Sequence, residues 1–163
     1  MTVNNDSIQK QRHSTNGANS DGGVRTLQLL RAGSSQFGIF TDEIAAIVDW
    51  REPAPLPHAP KAILGVVSIQ GRMLTVLDLR TLLGDQSISN DKAQHIVALR
   101  GDEQLALAVD AVGQPVEISN LEAKKNGEIL QTLNHGEAQI SVLNVKELFP
   151  TAIQGRKRRR RRL

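Results

Sequence analysis

Residues 57–84, PHAPKAILGVVSIQGRMLTVLDLRTLLG, decide the fold that this sequence predicts. Two short apolar runs, residues 66–69 and 73–77, flank the tripeptide Gln-Gly-Arg at 70–72, which is the pattern of a tight β-hairpin. The runs are too short for helices and are rich in β-branched residues, so they predict two adjacent strands with nearly all side chains buried. Buried strands of this kind need neighbouring strands.

Short strands with turn signals recur on both sides of this hairpin. The further candidates are residues 24–31, 36–40, 44–50, 95–100, 104–110, 112–118, 128–133 and 138–143. Only short helices fit between them, one capped by Asp78 and ended by Gly84, the other capped by Asn144 and stopped by Pro150. This pattern predicts an all-β barrel or sandwich. Both halves end in an apolar strand, a capping residue and a short Leu-rich helix, which suggests two similar subdomains.

Composition and charge limit the possible functions. With 163 residues, 39% of them apolar, the chain can form one domain with a real core. It has no cysteine, which excludes disulfides and thiolate metal sites. Seven of the 20 basic residues lie at 156–162, so the remainder has 13 basic and 17 acidic residues and is mildly acidic. Attraction to polyanions is therefore expected only of the tail.

The ends of the chain differ from its centre in composition. Residues 1–23 are polar and predict a disordered arm, residues 24–150 form the predicted domain, and residues 151–163 predict a disordered basic tail. Neither a signal peptide nor an apolar run of membrane-spanning length is apparent. We therefore expect a soluble, cytoplasmic protein.

The ordered segments together resemble the CheW-like domain family, the adaptors of bacterial chemotaxis arrays. The residues that match the family pattern around the central hairpin are Pro57, Pro60, Gly65, Gly71, Asp78, Leu79 and Arg80. In the second half, residues 109–112 (Val-Asp-Ala-Val) and 143–148 (Leu-Asn-Val-Lys-Glu-Leu) are similar to two further family segments. The resemblance extends from about residue 24 to residue 150.

This resemblance implies a fold of two five-stranded SH3-like β-barrels packed around a shared core, with helices of one or two turns. It implies no active site and no cofactor. The implied function is an adaptor in the signal transduction that controls motility, which binds the regulatory domain of a chemotaxis histidine kinase and the cytoplasmic tip of chemoreceptors. The receptor would bind in the groove between the barrels, and the protein would then lie at the inner face of the membrane through receptor arrays.

Two positions depart from the family pattern. Ala46 stands where a Glu is frequent, and Gln70 stands where an Arg is usual, with Arg72 two residues later. Both are polar contacts in typical members. The predicted partner-binding residues are Ile44, Ala46, Ile47, Trp50, Gly65, Gln70, Gly71 and Arg72. For Ile44 and Ile47 the alternative is an ordinary core position, and Trp50 fits either interpretation.

Candidate catalytic and metal-binding residues favour structural interpretations. Asp78 and Asp110 each follow an apolar strand, where capping or turn hydrogen bonds are commoner than acid–base catalysis. The four histidines are scattered without metal-ligand spacing, so no metal site is predicted. The sequence contains no Walker, dinucleotide or nucleophile-elbow motif. We therefore do not expect an enzyme.

The basic tail supports an alternative function. Its charged residues are Arg156, Lys157, Arg158, Arg159, Arg160, Arg161 and Arg162. They could bind anionic lipid or nucleic acid, or could simply be solvated. The alternative to the adaptor is thus a small β-barrel nucleic-acid-binding protein that uses this tail. Such proteins usually present stacking aromatics on the barrel, and this chain has only four aromatic residues.

Overall fold

The structure, a computed structural model, describes residues 23–84, 92–119 and 129–154, without the side chains of 129–131. The predictions made for most of the N-terminal arm and for residues 156–162 of the tail lie outside these residues. No described helix is long and apolar enough to cross a membrane.

The described residues are mostly in β-strands, as the sequence predicts. The strands are β1 (Arg25–Ala32), β2 (Ser35–Phe40), β3 (Ile44–Asp49), β4 (Ile63–Ile69), β5 (Arg72–Asp78), β6 (His95–Leu99), β7 (Leu105–Val109), β8 (Ala111–Ile118), β9 (Ile129–His135) and β10 (Ala138–Leu143). The helices are α1 (Leu79–Leu83) and α2 (Val145–Gln154), and a 3₁₀ turn (Thr41–Glu43) precedes β3.

The strands form two five-stranded sheets that the chain enters in an interleaved order. The first sheet has the order β8-β1-β2-β10-β9 and the second β3-β6-β7-β5-β4. The two orders correspond strand by strand. The strands β3, β4, β5, β6 and β7 of the second sheet take the same places as β8, β9, β10, β1 and β2 of the first. Even the parallel pairs correspond, since β5 pairs with β7 and β10 with β2. The two subdomains are therefore similar, but the first one is built from both ends of the described chain.

The second sheet closes on itself through the Pro-rich segment that follows β3. The backbone groups of Ala54 and Val66 exchange two hydrogen bonds of 2.9 Å, which join this segment to β4 at the other edge of the sheet. The Arg51 side chain adds a 2.8 Å bond from Nη1 to the Ser68 carbonyl oxygen. These contacts make the second sheet a barrel.

Three apolar clusters account for the nearly continuous apolar strands. One lies between the sheets and contains Ile39 and Leu143 of the first sheet, Leu77 and Leu107 of the second, and residues of both helices. The other two clusters are lined by one sheet each. Central strands such as β7 therefore bury both faces, and this non-polar burial provides the main stabilisation.

The two helices differ in detail from the prediction. Gly84 ends α1 in the left-handed conformation with φ 73°, as predicted. Asp78 occupies the N-cap position but makes no capping bond, and its Oδ2 instead accepts a 2.7 Å bond from the Thr81 hydroxyl. The prediction that Pro150 stops the last helix is wrong, because α2 continues to Gln154. Burial of Ala152 beyond the proline favours the longer helix despite the backbone donor that proline lacks.

Candidate functional site

The predicted partner-binding residues all belong to the second barrel, but they occupy two regions of it. Ile44, Ala46 and Ile47 lie on β3, which is one edge of the sheet order, and Trp50 follows that strand. The others lie on β4 and on its turn into β5. These strands are the two ends of the sheet order, and the segment after β3 joins β4 where the barrel closes.

Of the apolar residues around β3, only Ile47 is exposed, with 38% of its surface accessible. Ile44 packs against the core between the sheets, whereas Ala46 and Trp50 pack against the core of the second barrel. A bulge between Ile44 and Ala46 explains why these two residues do not share a face. The core interpretation thus describes Ile44 well, and Ile47 remains the candidate surface anchor.

Gly65 has a packing role of its own. A Cβ atom at this position would lie 2.2 Å from the Ala54 carbonyl oxygen, and the backbone φ is +146°. A side chain would thus collide with the segment that closes the barrel. Because Gly65 is buried, it can contribute to partner binding only through the shape that it gives to the neighbouring backbone.

The hairpin tip of β4 and β5 is the most exposed part of the predicted site. Gln70 and Gly71 have φ of 52° and 77° and form a two-residue turn between the paired residues Ile69 and Arg72. Nη2 of Arg72 donates a 3.3 Å bond to the Gly101 carbonyl oxygen in the β6–β7 turn, which holds the two turns side by side.

The sequence analysis did not select Met73, although 59% of its surface is accessible beside this tip. Alternation along β5 was the available signal, because Leu74 next to it is buried. We define residues 70–73 as the hairpin tip and retain it as the candidate interaction surface.

A buried ion pair joins the two barrels. Asp110, between β7 and β8, has a side chain that is only 4% exposed. Its Oδ2 accepts a 2.6 Å bond from Nη2 of Arg80 in α1 and a 2.8 Å bond from the backbone N–H of Gly33 in the β1–β2 turn. We name these three residues the barrel clamp. Asp110 thus makes the turn hydrogen bond that its place in the sequence favours, and its carboxylate is engaged in structure.

Residues that the structure describes line two grooves where the barrels meet. One, of about 670 Å³, is lined by residues of the β1–β2 turn, α1 and β10, including Arg31, Phe37 and Leu83. The other, of about 430 Å³, is lined by Glu43, the β6–β7 turn and the first residues of α2. We name the second the Glu43 groove. Burial in it, and secondarily the negative charge of Asp42, raises the pKa of the Glu43 carboxyl above its ordinary value.

The described side chains include no group of three or more histidines and carboxylates that could hold a metal ion. His95 has one acidic neighbour, with its Nδ1 atom 3.9 Å from Oδ1 of Asp49. Of the two carboxylates considered for catalysis, Asp78 accepts a bond from Thr81, and Asp110 accepts bonds from Arg80 and Gly33 in the barrel clamp. Both carboxylates are therefore engaged in structural hydrogen bonds.

Comparisons with known proteins agree on one family. The family model of the CheW-like domain matches residues 26–153. The chemotaxis protein CheW of Rhizobium meliloti is 29% identical over 151 residues, which cover 86% of this chain and 93% of that protein. A probable chemotaxis protein CheW of Rhizobium etli is 30% identical over 100 residues, 60% of this chain and 64% of that protein.

The fold is shared with a solved structure. The scaffolding protein TtCheW of Thermoanaerobacter tengcongensis superposes with a TM-score of 0.65 at 17% identity, covering 77% of this chain and 92% of that one. This likeness confirms the predicted fold, two five-stranded SH3-like barrels around a shared core. Because the family model spans both barrels, from β1 into α2, the chain belongs to the CheW-like domain family.

Proposed function

We propose that this protein is an adaptor that couples chemoreceptors to a chemotaxis-type histidine kinase in the control of motility. The observation that carries the proposal is the family match over residues 26–153, which includes every described strand except the first residue of β1. Members of the family are non-catalytic scaffold proteins, and we infer the same for this chain. As an adaptor it would act in the cytoplasm, at the inner face of the membrane where receptor tips assemble.

The exposed surfaces support binding to other proteins. The hairpin tip carries an arginine, a glutamine and an exposed methionine beside a two-residue turn, and Arg72 bonds it to the β6–β7 turn. A surface that is held in place before binding loses less entropy on association, and Arg and Met are enriched at protein interfaces. We assign the kinase regulatory domain to this tip and to Ile47 on β3, and the receptor tip to a groove between the barrels.

The two departures from the family pattern have different structural settings. Gln70 is exposed at the hairpin tip, so Arg can replace it without disturbing the core. Ala46 is half-buried against the core of the second barrel, where a Glu carboxylate would be partly desolvated. A changed partner specificity is therefore best tested at Gln70 and Arg72.

The nucleic-acid alternative gains no support from the barrels. Phe37 and Phe40 are buried, while Trp50 and Phe149 are half-buried, so none of the four aromatic rings offers an open stacking platform. For the tail we retain the narrower proposal that its seven basic residues bind anionic lipid or nucleic acid without sequence preference, supported by the charge run alone.

The test measures binding of the full chain to the kinase regulatory domain from the same cell by isothermal titration calorimetry. Arg72→Glu reverses a charge at the proposed contact and should weaken binding about tenfold or more, with little effect on stability. The matched control is Glu137→Lys, an exposed charge reversal at the corresponding turn between β9 and β10. Equal affinities for the two variants would contradict the assignment of the kinase to the hairpin tip.

A further inference from the structure

The correspondence between the sheets extends to the two places where the barrels meet. Each junction combines a helix from one barrel with the turn before an edge strand. Arg80 in α1 corresponds to Lys146 in α2, because each lies two residues past the N-cap position. The pair Leu30–Val112 joins β1 to β8 in the same way as the pair Leu99–Ile44 joins β6 to β3. Asp110 and Asp42 each lie two residues before the edge-strand residue of the pair, so these two aspartates correspond. Both junctions thus contain an acidic and a basic residue in equivalent positions.

These two junctions differ in how their charges are paired. In the first, the barrel clamp is closed and Asp110 is buried. In the second, both Asp42 carboxylate oxygens instead accept 3.1 Å bonds from Nη2 of Arg25, and the two side chains are exposed. Among the described residues, the Lys146 side chain makes no hydrogen bond and no ion pair within 4.0 Å. The second junction is therefore the open counterpart of the clamp.

Glu43 is the carboxylate that faces this open junction. It lines the Glu43 groove together with Leu99, Arg100 and Lys146. Within the described part of the chain, no hydrogen bond or ion pair within 4.0 Å reaches its carboxylate. The charges of Arg25 and Lys146 act favourably on it from farther away, but burial and the Asp42 charge outweigh them and raise its pKa. A half-buried carboxylate without a donor is unfavourable, so an additional cationic donor at this place would be stabilising.

The groove rim favours a cation despite its two basic residues. Asp102 and Glu103 of the β6–β7 turn add two exposed carboxylates to that of Glu43. Arg100 is already engaged, since its Nε donates a 3.1 Å bond to the Ile44 carbonyl oxygen. The groove is therefore lined by three carboxylates and two basic side chains, and one of the basic side chains, Arg100, already donates a hydrogen bond to a backbone carbonyl.

The same chain carries a suitable cation within reach. Helix α2 begins at the groove and ends at Gln154, which places its end about 14 Å from its start at 1.5 Å rise per residue. The nine residues that follow, at 3.3 Å or more each, can span about 30 Å. Because the tail is tethered, its effective concentration at the groove is on the order of millimolar.

We propose that the basic residues 156–162 reach back along α2 and that one arginine guanidinium binds the Glu43 carboxylate in the Glu43 groove. Arginine suits this place because its planar donor fork can bond a carboxylate through two parallel N–H groups. The tail thereby completes at the second junction the acid–arginine pair that the barrel clamp forms at the first. This contact is independent of the adaptor function and exists in the isolated protein.

The test uses a nitroxide spin label on Leu163→Cys, which is a unique attachment site because the chain has no cysteine. In amide NMR spectra of the full chain, the label should broaden the resonances of Glu43, Lys146 and the β6–β7 turn more than those of the β9–β10 turn. Glu43→Gln, which removes the charge and keeps the shape, should abolish this selective broadening. Glu137→Gln, at the exposed β9–β10 turn, is the matched control and should leave it unchanged.

A second measurement leaves the residues of the Glu43 groove unaltered and changes the tail instead. Replacing the tail arginines Arg158, Arg159, Arg160, Arg161 and Arg162 by glutamine should shift the amide resonances of the Glu43 groove and leave the β9–β10 turn in place. Equal broadening of both turns, or selective broadening that persists in Glu43→Gln, would overturn the proposal. Broadening of the groove only when a partner protein is added would likewise overturn it, because the tail alone would then not occupy the groove.

Discussion

Removing the Asp110 carboxylate tests the barrel clamp. In Asp110→Ala, the N–H of Gly33 loses its 2.8 Å acceptor and the Arg80 guanidinium loses its 2.6 Å acceptor. An unsatisfied buried donor costs about 1 to 3 kcal/mol. The Arg80 side chain is 20% exposed and can be partly rehydrated, so we add about 1 kcal/mol for it rather than the full cost of a broken buried pair. The expected loss of unfolding free energy is about 3 kcal/mol.

The assay is urea denaturation of the full chain, with Asp42→Ala as the control. That substitution breaks the Arg25–Asp42 pair, whose side chains are 47% and 69% exposed, and should cost under about 1 kcal/mol. Asp110→Asn should fall between the two, since the amide oxygen can still accept from Gly33. A cost below about 1 kcal/mol for Asp110→Ala would refute the reasoning, because the clamp would then not hold the barrels together.

Four further predictions follow from burial, backbone conformation and charge. Leu77→Ala should cost about 2 to 4 kcal/mol in the same denaturation assay because Leu77 is fully buried, whereas Val66→Ala should cost less because Val66 is half-buried; equal costs would show that the core is misplaced. Gly65→Ala should destabilise by more than about 1 kcal/mol, since φ is +146° and the new Cβ meets a backbone oxygen; an unchanged midpoint would contradict this geometry. The pKa of the Glu43 carboxyl is raised, which means that the folded state binds the Glu43 proton more tightly than the unfolded state does. The free energy of unfolding therefore falls as the pH rises from below the unfolded pKa through the folded pKa. Glu43→Gln, measured at about 0.5 M salt to screen the tail, should therefore be more stable than the parent at pH 7 and lose that advantage below about pH 4; a pH-independent difference would disprove the cause. Neutralising residues 156–162 should abolish salt-sensitive binding to anionic vesicles and DNA, measured by co-sedimentation and by fluorescence anisotropy, and retained binding would place the polyanion site on the barrels.

The sequence predicts the strands well because their cause is local. Short apolar runs separated by positive-φ turns, such as Gln70-Gly71 and Gly136, indicate hairpins without knowledge of the fold. The family motifs are also local. Asp110 and Arg80 stand out in the sequence, and the structure shows that they belong to one buried pair.

Long-range pairing and bulges could not be read from the sequence. The interleaved order depends on pairings such as that of β1 with β8, where Gln28 Nε2 donates a bond to the carbonyl oxygen of Gly113, 85 positions away. A simple alternation would place Ile44 and Ala46 on one face of β3, and the bulge between them reverses that assignment. The Glu43 groove was missed because three distant segments form it.

The adaptor function is tested most directly by reconstituting the purified full chain with the kinase regulatory domain and a receptor tip fragment from the same cell. Because we assign the two partners to different surfaces, analytical ultracentrifugation should show a complex that contains all three proteins, and Arg72→Glu should remove only the kinase domain from it. A folded chain that binds neither fragment, or that binds them only in mutual competition, would contradict the proposal that it couples receptor to kinase.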